Sequence, residues 1–178
     1  MRVWPALAAA QAALLLIAAC APAKSQDVPV NAEDVMFVQM MVPHHRQGIE
    51  IAKLGAARAA TPELRTLTAA IASTQQDEVE MMLRWLHSWE QPLAPPTGAH
   101  EHHGGMPETD VKRVQALKKS KDFEYDLLKL LVAHQGDAVR MAAAEVAGGA
   151  NPAVQKWAGQ VRDSREGQIA IMKNLLKR

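Results

Sequence analysis

The chain has 178 residues, 20 Lys and Arg against 19 Asp and Glu, and a single Cys. That length suits one domain or at most two small ones. A net charge of +1 excludes a general binder of nucleic acid, because no basic excess exists to neutralise phosphates. One Cys excludes an internal disulfide framework and any Cys-based zinc ribbon. Aromatics make up 4% of the chain, against many Ala, Leu and Met, which points to packed helices rather than sheets. Nine Met and seven His are the first hint of function.

Residues 1–19 (MRVWPALAAAQAALLLIAA) read as an export leader. Arg2 supplies a positive start. The apolar stretch Ala6–Ala19, broken only by Gln11, is short for a membrane span. Ile17-Ala18-Ala19-Cys20 resembles a bacterial lipobox, in which the Cys is lipidated and becomes the mature N-terminus. A plain secretory signal with an incidental Cys is the alternative. The position of the lone Cys favours the lipoprotein, anchored in the cell envelope and facing the periplasm, with residues 20–31 as a Pro-rich tether. Loss of Arg2 with the leader leaves the mature chain formally neutral.

The bundle itself is expected over residues 32–178. Asn31-Ala-Glu-Asp34 offers an N-cap with an acid three residues on. Apolar residues then recur through Val35, Val38, Met41 and Val42, and beyond Pro43 through Ile49, Ala52 and Ala56, at helical spacing. Pro43 should kink this first helix. Thr61-Pro62-Glu63 restarts a second helix, with Thr61 as N-cap and Pro62 at the first helical position. That helix runs through Leu64, Leu67, Ile71, Val79, Met82 and Leu86 to about Trp89, and Pro92 ends it. Residues 92–108 form a Pro/Gly/His linker without periodicity. A short helix fits residues 110–119 and a long one residues 121–147. Gly148-Gly149 stops the long helix, and Asn151-Pro152 starts the last.

The second half repeats the first. Residues 40–86 align without gaps on 130–176 at an offset of 90, with eight identities that include His44/His134, Pro62/Pro152, Met82/Met172 and Leu86/Leu176. The helix breaks coincide. The repeats span about 33–90 and 121–177, each a hairpin with an apolar face it cannot bury alone. The expected fold is all-α, an antiparallel four-helix bundle of approximate twofold symmetry.

Met40 and His44 are neighbours one turn apart, as are Met41 and His45. Pairing about a turn near residue 60 puts His44 level with Gln75–Glu78. Glu78 and Met82 share a face of the second helix, so Met40, His44, Glu78 and Met82 can converge in one layer. The repeat carries an echo in His134, Gln168 and Met172, with Met141 further along the same helix as His134. Thioether plus imidazole suits Cu(I), and equally Ag(I), while imidazole also accepts Cu(II). Glu78 could join as a ligand or orient a His ring. The plainer alternative is that Met fills the core of an Ala-rich bundle. The linker is a second candidate, with His100, His102, His103 and Met106 within seven residues and Gly104-Gly105 between. Such tracts bind Cu(II), Zn or Ni with little selectivity; a solvated loop is the alternative. No Glu-x-x-His lies on an expected helix, and no phosphate loop, Gly-x-Ser-x-Gly or His-Glu-x-x-His occurs.

Phe37-x-x-Met40-Met41-Val42-Pro43-His44-His45, Pro62-Glu63-Leu64 and Gln75-x-x-Glu78-Val79-x-x-Met82-x-x-Trp85-Leu86 resemble the bacterial domain of unknown function 305 family. Phe123 and Val132-Ala133-His134-Gln135-Gly136-Asp137-Ala138-Val139-x-Met141-Ala142 resemble its second repeat. The resemblance covers nearly all of residues 33–177. It implies a ferritin-like bundle and kinship with exported copper-binding proteins of the CopM type. It would place metal on Met40, Met41, His44, His45, Met82, His134, Met141 and Met172. The family's second His-His pair is His134-Gln135 here, which weakens a second site, and the His-rich linker shifts preference toward Cu(II).

The expected function is a lipid-anchored, non-enzymatic copper-binding protein that buffers or carries the metal. Metal ions are its partners, the membrane is met through the anchor only, no nucleic acid or organic cofactor is involved, and no protein partner is indicated. The alternative is an envelope scaffold bundle whose His and Met merely pack. A metal-dependent oxidase has no strong signal.

Overall fold

The computed structural model describes residues 28–94 and 111–178. The leader, Cys20 and the linker residues His100, His102, His103 and Met106 lie outside the described residues. Five helices follow one another: α1 (Ala32–Arg58), α2 (Pro62–Ser88), α3 (Val111–Lys118), α4 (Phe123–Gly148) and α5 (Pro152–Leu175). α1 packs on α2, α4 packs on α5, and the two hairpins meet through α1 and α4. Among the described residues there is no strand, and no helix is long and apolar enough to cross a membrane.

The start of α1 is a complete capping box. The Asn31 side chain accepts from the Asp34 backbone N–H, and the Asp34 carboxylate accepts from the Asn31 N–H. α1 continues through Pro43. The whole run Phe37–Val42 is buried, so this part of α1 is enclosed on all sides rather than on one stripe.

The offset of 90 is a symmetry of the packing. One apolar cluster holds Phe37, Val38, Met41, Met82 and Val154. The other holds Leu127, Leu128, Leu131, Met172 and Leu64, their partners at that offset. Along α4 His134-Gln135 separate the two clusters, whereas along α1 the first cluster runs past His44-His45 to Ile49 and the second begins at Ile51. The short helix α3 adds Val114 and Leu117 to the second cluster. It is held by Arg58, which donates to the Lys118 carbonyl at 3.0 Å and stacks over the Phe123 ring at 4.1 Å.

The ends of the bundle obey the same symmetry. Asp34 accepts the backbone N–H groups of Ala150 and Asn151, fastening the α4–α5 turn to the start of α1. Ninety positions on, Glu124 accepts the Thr61 N–H and hydroxyl, each at 2.7 Å, fastening the α1–α2 turn to the start of α4. The Thr61 hydroxyl therefore donates to Glu124 and makes no bond to its own helix, whereas Asn151 does cap α5. The cause is a partner that the local sequence does not contain.

Candidate metal centre

The histidines of α1 follow Pro43 and point about 100° apart, so they meet different neighbours. His44 faces α4. Its Nε2 donates to the His134 carbonyl at 3.1 Å, and His134 Nε2 donates to the His44 carbonyl at the same distance. The two rings stack with centroids 3.8 Å apart. Gly48 makes the approach possible, since a Cβ there would sit 2.7 Å from His134 Cε1 and closer still to the Gln75 amide oxygen.

His45 faces α2 and α5. Its Nε2 donates to Glu78 Oε2 at 2.8 Å. The expected level of α2 beside the histidine pair holds, but Glu78 goes to His45 and not to His44. The same Glu78 oxygen accepts from the Arg165 guanidinium, whose Nη2 lies 3.5 Å from His45 Nε2. Arg165 and His45 are completely buried, and Glu78 is 15% exposed. Trp157 walls the His45 ring at a centroid distance of 6.4 Å.

The second repeat builds the same trio from amides. Gln135 donates to Gln168 at 2.5 Å, and Gln75 donates to Gln135 at 3.4 Å. His45, Glu78 and Arg165 thus correspond to Gln135, Gln168 and Gln75 at the offset of 90. One half of the bundle carries a charged trio and the other a neutral one.

Carbonyl and carboxylate oxygens can only accept, so all three imidazoles carry their proton on Nε2. Each Nδ1 is buried without a hydrogen-bond partner. Burial holds all three rings below the ordinary histidine range, His134 to about 4. The Arg165 charge acts the same way on His44, as would a proton on either neighbouring ring. Glu78 in turn is raised by burial, but its bonds and charge pairing with His45 and Arg165 prevail and hold it below the usual carboxylate range. The outcome is three neutral imidazoles with bare Nδ1 lone pairs and an ionised Glu78 orienting one of them from behind.

The thioethers divide between the two ends. Met41 and Met82 are fully buried in the first cluster, with Met141 against it. Met172 is fully buried in the second, and Met40 is 6% exposed. Among the described residues no three His, Cys, Asp or Glu side chains form a ready metal-holding group.

Arg165 completes this layer although no motif names it, and Gln75 and Gln135 stand in the motifs without an assigned role. Their signal is register. Arg165 falls between Val161 and Met172 on the buried stripe of α5, and its partner position in the repeat is another buried polar residue, Gln75.

The chain is similar in fold to a DUF305 fragment from Deinococcus radiodurans, 28% identical, covering 84% of this chain and 99% of that one with a TM-score of 0.73. It is also similar to a putative secreted DUF305 protein from Streptomyces coelicolor, 26% identical, covering 82% and 92% with a TM-score of 0.76. CopM in its Cu(I)-bound form is 25% identical, covering 81% and 95% with a TM-score of 0.68. No curated protein matches the chain. The domain of unknown function DUF305 matches residues 34–176, and the chain belongs to that family.

Proposed function

We propose that this protein binds copper as cargo in the cell envelope, buffering or carrying it without catalysing a reaction. Cu(I), with Ag(I) in its place, is the ion that suits the buried donors; Cu(II) suits imidazole and the His-rich linker. The observation that carries this reading is the trio of sealed imidazoles with unpartnered Nδ1 atoms. A buried polar atom without a partner costs stability, and an ion bound at such an Nδ1 would satisfy it. Met41 and Met82 bring soft sulfur to the same end of the bundle as the His45 wall residue Trp157. The likeness to CopM, solved with Cu(I) bound, supports the same reading. Export is supported by the leader and by the likeness to a putative secreted protein. Lipidation at Cys20 belongs to the same proposal.

A scaffold role is the second reading, favoured by the reciprocal ring-to-carbonyl bonds of His44 and His134, which give these residues a structural task without metal. Isothermal titration of the mature protein with Cu(I) and Ag(I) separates the two. The copper reading expects tighter binding by the wild type than by a His44→Ala/His134→Ala variant whose helicity is retained. Equal binding by both would leave the scaffold reading standing.

A further inference from the structure

The neutral trio Gln135, Gln168 and Gln75 shows that this fold closes the layer without any charge. A cation at the twin position is therefore not a requirement of packing. Arg165 is nonetheless completely buried, and its Nε has no partner; Gln75 also leaves its amide oxygen unpartnered but buries no charge. What the guanidinium does occupy is specific. It bonds the same Glu78 oxygen that accepts from His45, and stands 3.5 Å from the His45 Nε2.

An imidazole and a carboxylate side by side are half of a ligand set for Zn(II) and related divalent ions. The place from which such an ion would bridge them is filled by a guanidinium that cannot lose its charge. We propose that Arg165 is a built-in cation at Glu78, closing the His45–Glu78 pair to hard divalent ions and leaving the core only uncharged donors, imidazole nitrogen and thioether sulfur, for a soft monovalent ion. A divalent ion entering beside Arg165 meets a like charge in a largely buried layer. Once Glu78 is neutralised by Arg165, no anionic ligand is left to attract one. The inference rests on the copper reading for what the core accepts, but the exclusion follows from the placement of Arg165 alone.

The test titrates Zn(II) into the full mature protein as wild type, Arg165→Gln, and Glu78→Gln/Arg165→Gln, with Ag(I) titrated in parallel. The His-rich linker is common to all three, so the comparison reads only the core. Arg165→Gln is expected to take up one more equivalent of Zn(II) than the wild type and to show a Zn(II)-dependent rise in Tm. The double variant, which copies the neutral trio at two positions, is expected to return to wild-type stoichiometry. If Arg165→Gln is unfolded without metal, Zn(II) is expected to restore its helicity. Unchanged Zn(II) stoichiometry and Tm in a folded Arg165→Gln variant, or failure of Zn(II) to refold an unfolded one, would overturn the proposal. Loss of Ag(I) binding by the wild type would instead strike the copper reading and leave the Zn(II) comparison intact.

Discussion

His44 and His134 lie ninety residues apart, and each donates its Nε2 proton to the other's backbone carbonyl across the centre of the bundle. This contact sits on the axis that relates the two hairpins. It ties the recurrence of His in the sequence to a definite tautomer, and so to the bare Nδ1 atoms on which the copper reading rests.

Stability should peak near pH 6.5. The buried rings of His44, His45 and His134 are depressed below their ordinary value of 6.5, so below that pH the unfolded chain takes up protons that the folded one refuses. Their contribution is lost as pH falls from 6.5, and His134 alone, held at about 4, accounts for something on the order of 3 kcal/mol. Glu145 acts in the opposite direction. Burial and the adjoining Asp34 carboxylate push it up to about 8, so stability falls as pH rises from about 4.5 toward 8. Above 6.5 the raised Glu145 lowers stability as pH rises, and Glu145→Gln should flatten that limb. Thermal unfolding across pH 5–9 checks both limbs; a wild-type Tm that is flat between 6.5 and 8 would refute the assignment to Glu145.

Gly48→Ala should destabilise the protein by about 1–3 kcal/mol. The added methyl meets His134 Cε1 at 2.7 Å and the Gln75 amide, and the ring cannot retreat without breaking its stacking on His44. Urea denaturation measures the loss, and a variant as stable as the wild type would contradict the packing described.

The two acids that fasten the hairpin turns should differ in weight. Asp34→Ala strands three N–H groups, that of Asn151 buried and those of Asn31 and Ala150 half-buried, and should cost about 3 kcal/mol. Glu124→Ala frees only the more accessible Thr61 groups and should cost about 1 kcal/mol. Equal costs in chemical denaturation would count against the difference in burial.

Replacing the charged trio by its twin should be gentler than breaking it. Arg165→Met alone leaves the Glu78 carboxylate with no cation, only the neutral His45 as donor, and should cost about 3–5 kcal/mol. His45→Gln/Glu78→Gln/Arg165→Gln installs the residue types found at the matching positions and should be more stable than the single variant. The order of the two Tm values decides, and a triple variant less stable than Arg165→Met would deny the equivalence of the trios.

The element order, the helix limits near Pro62 and Pro152, and the offset of 90 were all legible in the sequence, because breaks and caps are local signals. The level of His44 and His45 against Glu78 followed from hairpin geometry. Which histidine takes Glu78 did not, since about 100° of rotation on α1 is decided by how α4 packs. Arg165 was hidden because a charged side chain on a helix is ordinarily solvated. Only its place on the stripe of Val161 and Met172, opposite a buried Gln75, marks it as interior. The Thr61 hydroxyl was read as a cap because Glu124, its true acceptor, lies 63 residues away.

The most direct measurement is long-range proton–nitrogen NMR of the imidazoles of His44, His45 and His134, with and without Ag(I). The account predicts protonated Nε2 and bare Nδ1 in all three rings without metal, and displacement of core Nδ1 resonances when Ag(I) binds. Ag(I) that perturbs histidines elsewhere and leaves all three core Nδ1 atoms unmoved would contradict it.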